Sequence, residues 1–466
     1  MNILSRERIA EVTSGQALQG SGGEGFTNIF TDTRKPVIGG LFFALDGPNF
    51  NAHSFLGMAV QSGAKGLVIS DAQALPAGIP ADLFVVLVQD TRHALGQVAK
   101  AARMAHEAKF IAITGSVGKT TMKNMVAAAL APFGKVGRTP GNFNNDIGLP
   151  LTLCGLDGDE DFVVLELGMN APGEIHALTT LAVPDVGLVT GAHAAHLEFF
   201  PDVDAIADAK SELYATIDTG SYAIANGDDH RIQTRANELH PENLLSYGLS
   251  DGVTVRATSI RSTDQGIECV IKSPSFQGTV IVPALGEHHA LHAAGALAVV
   301  EALGLDVEEA ARAITSGFHG EKHRMSLLAT HSGVTILDDC YNASPLSMQA
   351  ALQTFGSLAQ SAHKRVAVLG SMLELGDAAP HFHQEAGKLA ARVGVDHLFA
   401  LGPYASDLAK GAAREGLSRA TEAGDVSDVM GQIVDTTEED SWLLLKGSRG
   451  GRLERVLNAY NVMEAR

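Results

Sequence analysis

Apolar residues in this chain fall into two patterns that alternate along its length. Short continuous apolar runs, as a strand buried on both faces requires, occur at residues 110–114, 162–167, 185–190, 334–338, 365–370, 397–401 and 441–445. Between them lie helical spacings. Met122, Met125, Val126, Ala129 and Leu130 would share one face of a helix over 122–130, and further helical stretches are predicted over 91–108 and 290–303. Buried strands alternating with helices predict an α/β fold with parallel sheets covered on both sides. Residues 40–45 and 66–70 add short strands near the start, and the alternating Thr/Ser/Val/Ile stretch 252–283 predicts antiparallel pairing. At roughly 150 residues per domain the length suggests about three domains. The pattern places them at residues 1–107, 108–318 and 319–466.

Composition narrows the function classes. The net charge is −19 and no basic tract interrupts it, so nucleic acid is not an expected partner. Bound phosphates must then be held by local dipoles and a few cations. Cys154, Cys269 and Cys340 lack metal-ligand spacing and are expected as buried free thiols of a reducing cytoplasm. Arg6, Glu7 and Arg8 interrupt the opening residues, so no signal peptide is predicted. The run 290–303 is shorter than the ~20 residues of a membrane span and carries His292 and Glu301, so no membrane insertion is expected.

The strongest chemical signal follows the strand at 110–114. Gly115-Ser116-Val117-Gly118-Lys119-Thr120-Thr121 is a glycine-rich turn opening a helix, where backbone N–H groups and the helix dipole favour an anion. Lys119 suits the β/γ-phosphates of ATP and the Thr120 hydroxyl suits Mg²⁺. Ile113 stands where the general phosphate-loop pattern has its first glycine, so the match is to a shorter form of that loop. Glu166, near the end of a buried strand, is the candidate acid to complete the site, because sites in open sheets gather at strand C-termini.

Several further stretches, in order along nearly the whole chain, resemble the Mur ligases. They are Thr31–Arg34, Thr114–Thr121, Gly141–Gly148, Glu166–Gly168 with Gly173–Ile175, Ala195–Glu198, Asp338–Ala343, Leu373–Gly376 and Lys446–Arg449. The likeness is greatest to the branch that adds D-alanyl-D-alanine. It implies an N-terminal domain binding the UDP end of a precursor, a central ATPase domain and a Rossmann-like C-terminal domain. The implied reaction joins UDP-N-acetylmuramoyl-tripeptide to D-alanyl-D-alanine through an acyl phosphate, in peptidoglycan synthesis, giving ADP and phosphate. The enzyme is expected in the cytoplasm, as a monomer.

Residue by residue, the resemblance implies catalytic roles for Lys119, Lys210, His196 and Glu166, with two Mg²⁺ ions held by Thr120, Glu166, His196 and a CO₂-derived carbamate on Lys210. It implies ATP contacts from the phosphate loop, His288, Arg324, Asp339, Tyr341 and Asn342. Substrate contacts are expected from Asp32, Thr33, Arg34, Asn142, Asn144, Asn145, Lys446, Ser448 and Arg449. Two departures stand out. Where the family usually has Gly-x-His-Asn-x-x-Asn near the adenine, His289 and His292 replace both asparagines, and Ser371 replaces a frequent aspartate. Another Mur ligase or a folylpolyglutamate synthetase-like enzyme would share the ATP chemistry. A phosphate-loop switch would not need Glu166, His196 and Lys210 together.

Overall fold

The structure is a computed structural model that describes residues 4–20, 22–47, 50–263 and 265–460. It divides into two compact units, the first of residues 1–114, 133–188 and 212–222 and the second of residues 115–132, 189–211 and 223–466. The fold is α/β, with mostly parallel sheets.

In the first unit, a five-stranded sheet runs in the order Gln16–Gln19, Phe84–Leu87, Gly66–Ile69, Leu41–Phe43, Ile29–Phe30. Only its first pair is antiparallel. Phe42, Leu67, Ile69 and Val85 sit in its core, and the runs predicted at 40–45 and 66–70 supply two of its strands. The helix predicted over 91–108 forms as Thr91–Met104, capped by Asp90, whose carboxylate accepts from the N–H groups of Arg92 and His93. Such a cap satisfies donors that the first helical turn leaves open. The same unit holds a parallel set in which Phe162–Glu166 pairs with Lys109–Thr114 on one side and Val136–Arg138 on the other. Both long strands are buried on both faces, as continuous apolar runs require.

In the second unit, the helix predicted from residue 122 begins at Lys119, because Gly118 in the left-handed region ends the loop and turns directly into it. The stretch 252–283 does form antiparallel strands, Val255–Thr263, Gly266–Lys272 and Gln277–Val282. The first of them also pairs in parallel with Leu244–Gly248, which the pattern did not predict.

The six-stranded C-terminal sheet runs Ser326–Ala329, Thr335–Asp339, Ser441–Lys446, Lys364–Gly370, His397–Leu401, Ala420–Ala423, parallel except at its first pair. Alternation along these strands fills two cores. Leu337, Ala367, Leu369, Leu398 and Leu444 face one side, and Ile336, Val366, Val368, Phe399, Leu443 and Leu445 face the other. Parallel register brings Asp339 beside Lys446 at the C-terminal ends of adjacent strands. Among the described residues, no helix is long and apolar enough to cross a membrane.

Candidate active site

The phosphate loop is built around two glycines that no other residue could replace without strain. Gly115 and Gly118 have φ of 146° and 84°. A Cβ on Gly115 would run into Thr190 Oγ1, and one on Gly118 into His292 Nε2. The loop is also stitched to the residues after Val189. Ser116 N–H donates to Gly191 O at 2.9 Å, the Thr190 hydroxyl donates to Val117 O at 2.6 Å, and His193 N–H donates to Ser116 Oγ at 3.0 Å. These bonds fix the loop's shape while Lys119 Nζ donates to Gly115 O at 2.7 Å across its mouth. Thr120 is buried, and Thr121 lies one residue further into the helix.

Lys210, on the helix Val203–Thr216, is 1% exposed and has no ion-pair partner among the described residues. Burial pushes its pKa well below that of an ordinary lysine, and the charge of Lys119 adds to this. The shift favours the neutral amine over the ammonium form. His196 sits in the left-handed region, at φ 60°, with Nδ1 2.6 Å from Glu374 Oε2. Burial lowers its pKa; Glu374 opposes this, and Lys210 and Lys119 reinforce it. An imidazole oriented through Nδ1 by a carboxylate leaves Nε2 as a lone-pair donor, the arrangement of a metal-ligating histidine.

The C-terminal sheet contributes a second cluster to the same unit. Asp339 Oδ2 lies 2.6 Å from Lys446 Nζ, and Oδ1 accepts from Met325 N–H at 3.2 Å. Burial raises the Asp339 pKa, against the pull of Lys446, Met325 N–H and Arg324. Lys446 also donates to Asn342 O at 2.8 Å. The Arg324 guanidinium lies 4.3 Å from the Tyr341 ring centroid and donates to Thr120 Oγ1 at 3.2 Å, which joins this cluster to the phosphate loop. Arg449 lies 5.7 Å from the same ring and pairs with Glu454 at 3.3 Å. Buried Ser448 accepts from Leu373 N–H.

His288, His289 and His292 open the helix His288–Ala302, with ring centroids 4.4 to 5.8 Å apart. Nδ1 of His289 and of His292 are buried without a hydrogen-bond partner. Burial first, then Lys446, lowers the His288 pKa to about 4; burial, then His288, lowers that of His292 to about 3. Histidines that fold neutral bind fewer protons than they do unfolded, so their stabilising contribution is whole above about pH 6.5 and is lost as pH falls from there toward 4 and 3. A His292→Gln chain is therefore expected to show a flatter dependence of Tm on pH between 6.5 and 4 than the parent, measured by thermal unfolding. Parallel curves would contradict this.

In the first unit, Glu166 is 3% exposed; its N–H donates to Thr139 Oγ1 and its Oε1 accepts from the Asn144 amide, both at 2.9 Å. Asn145 instead accepts from Gly148 and Ile147 N–H, shaping the turn into the helix Gly148–Cys154, and Asn142 is exposed. Asp32 and Arg34 form an exposed, multiply bonded pair whose hydrogen bonds hold the Asp32 carboxyl at about 2, with Thr33 between them.

The Mur ligase middle-domain family matches residues 113–300, and the Mur ligase glutamate-ligase-domain family matches residues 323–449. A curated relative, the UDP-N-acetylmuramoyl-tripeptide--D-alanyl-D-alanine ligase of Bacillus subtilis (strain 168), is 34% identical over 92% of this chain and 92% of its own. This chain belongs to the Mur ligases. A crystal structure of MurF from Acinetobacter baumannii superposes with a TM-score of 0.88 at 30% identity, covering 98% of each chain. The MurF ligase of Thermotoga maritima, solved in complex with ADP, superposes at 0.78 with 25% identity, over 93% of this chain and 97% of that one.

The structure of this Mur ligase gathers Lys119, Thr120, His196, Lys210, Arg324, Asp339, Tyr341, Lys446 and the His288 cluster in its second unit. Glu166 and Asn144 meet in the first. Sequence reasoning did not single out Thr190, His193 or Glu374 as site residues. Glu374 lay within a quoted motif, but nothing in the spacing of residues 178 apart says that it meets His196. Ser371 ties the strand ends together: its hydroxyl donates to Leu401 O at 3.0 Å and accepts from Tyr404 N–H.

Proposed function

We propose that this Mur ligase joins D-alanyl-D-alanine to UDP-N-acetylmuramoyl-tripeptide in the cytoplasm, acting as a monomer on peptidoglycan precursors. The observation that carries the reading is the clustering of the phosphate loop with His196, Lys210, Arg324 and Asp339, a set that a nucleotide switch does not need. Kinship with D-alanyl-D-alanine-adding ligases supports the substrate pair. We further propose the functional divisions 1–107 for the UDP substrate, 108–318 for ATP and 319–466 for closure over the nucleotide.

The chemistry follows from the residues. A carboxylate is a poor electrophile, so the tripeptide's terminal carboxylate attacks the γ-phosphorus of ATP, ADP leaves, and an acyl phosphate forms. The dipeptide amine then attacks the acyl carbon, phosphate leaves and the amine proton is released. Phosphoryl transfer demands positioning and charge neutralisation more than covalent help. Lys119 and the loop N–H groups hold the β/γ-phosphates, and Arg324 places a permanently charged fork beside them. The family resemblance carries Mg²⁺-ligand roles to Thr120, Glu166, His196 and carbamylated Lys210, and bound Mg²⁺ would supply charge neutralisation for the transferred phosphoryl group. The neutral amine of Lys210 is the form that adds CO₂. Asp339 orients the ribose, Tyr341 and Asn342 flank it, and His288 lies by the base. Asp32, Thr33 and Arg34 take the UDP end, Asn142, Asn144 and Asn145 the sugar-peptide, and Ser448 and Arg449 with Lys446 the substrate carboxylates. Closure of the C-terminal region over the nucleotide, with Arg324 reaching Thr120, would exclude water from the acyl phosphate.

The test is phosphate release from ATP with UDP-N-acetylmuramoyl-tripeptide, with and without D-alanyl-D-alanine. Release is expected to depend on the dipeptide and to accompany formation of the pentapeptide. Release indifferent to the dipeptide would remove this substrate assignment, and release dependent on a different amine would point to another amide ligase.

A further inference from the structure

A second cluster of donor atoms lies next to the nucleotide cluster, and the proposed ligase chemistry does not use it. His323 Nδ1 is 2.7 Å from Asp338 Oδ2, and Cys340 Sγ is 3.8 Å from the same nitrogen. All three ligand-type atoms lie within 4.8 Å of one another, with Asp338 and Cys340 buried and His323 half-buried. The antiparallel pairing of Ser326–Ala329 with Thr335–Asp339 sets Ser326 opposite Asp338, and the chain before it carries His323 alongside the end of that strand. Tyr341 N–H donates to His323 O at 3.1 Å and Cys340 N–H to Asp338 Oδ1 at 3.3 Å, so backbone bonds hold the three residues in place.

We propose that His323, Asp338 and Cys340 bind one soft divalent cation of the zinc type. Sulfur, imidazole and carboxylate together are a zinc or cobalt donor set rather than a magnesium one. Tetrahedral coordination at ordinary zinc distances sets neighbouring donors about 3.4 to 3.6 Å apart, so the His323–Asp338 pair needs to open by less than about 1 Å. Binding at Nδ1 leaves the ring proton of His323 on Nε2, releases the thiol proton of Cys340 to solvent, and forms metal–nitrogen, metal–oxygen and metal–sulfur bonds with no change of oxidation state. The ion would staple residue 323 to the strand end that carries Asp339. Arg324 is the next residue, so the staple fixes the base of the side chain that reaches Thr120. This site does not depend on the identity of the ligase substrates.

The test uses the full chain, stripped of metal by a chelator and titrated with Co²⁺, an optical stand-in for zinc. One equivalent is expected to produce a sulfur-to-cobalt charge-transfer band and to raise Tm. Cobalt at an oxygen-donor site gives no such band, so magnesium sites do not interfere. In Cys340→Ser the band is expected to vanish although Cys154 and Cys269 remain. In His323→Gln affinity is expected to fall by more than about 100-fold, beyond the usual loss of an outer-shell partner. Both variants should keep the metal-free Tm of the parent, which separates lost binding from lost folding. A parent with no charge-transfer band, or a Cys340→Ser chain that retains it, would show that the trio is only hydrogen-bonded and overturn the proposal.

Discussion

Replacing Lys119 with alanine is expected to lower kcat for dipeptide-dependent phosphate release by about 10²–10³-fold, the usual loss when one preorganised charge-stabilising donor is removed. The loop reaches its shape without the side chain, through the Ser116, Thr190 and His193 bonds and the left-handed Gly115 and Gly118. Lys119 Nζ itself donates to the Gly115 carbonyl of the loop. Charge on the phosphates grows and moves during transfer, so the missing cation should depress kcat more than the affinity for ATP. Steady-state kinetics with both substrates varied measures the split. A Lys119→Ala enzyme with kcat within a few-fold of the parent would mean that the loop does not hold the reacting phosphates.

Lys210→Ala is expected to lose activity to a comparable degree and to regain part of it when formate or acetate is added. The reason is burial. At 1% exposure, and with the charge of Lys119 acting on it, the amine's pKa lies well below that of an ordinary lysine, which favours the neutral form that CO₂ requires. An added carboxylate can occupy the space that the carbamate filled and restore an anionic oxygen. Lys210→Met, which keeps most of the stem's volume, should be equally inactive while unfolding at the parent's temperature, so a packing defect is distinguishable from a lost ligand. Depleting CO₂ from the buffer should slow the parent and leave both variants unchanged. An unimpaired Lys210→Ala enzyme would end the carbamate proposal.

Strand and helix positions were legible because burial imposes its period on the sequence. The runs at 110–114, 365–370 and 441–445 are continuous because both faces of those strands are covered. The short edge strands Ser326–Ala329 and Ala420–Ala423 were missed because they are only partly buried and carry no such pattern. The phosphate loop was legible for a different reason: its chemistry is local, and seven consecutive residues supply the glycines, the lysine and the hydroxyl.

The sequence by itself determined the α/β class, the phosphate loop and the residues that match a ligase. It could not determine which of those residues meet, because contact depends on register and crossover and not on spacing. Lys446 read only as a cation after a buried strand, and it is parallel register that sets it against Asp339. Asn145 read like Asn144, yet one shapes a helix entry and the other holds Glu166. Cys340 read as an inert thiol, and only the hairpin that returns His323 to Asp338 gives it a donor set. Tertiary structure decided these points because electrostatic and hydrogen-bond energies act over a few ångströms in space, whatever the distance along the chain.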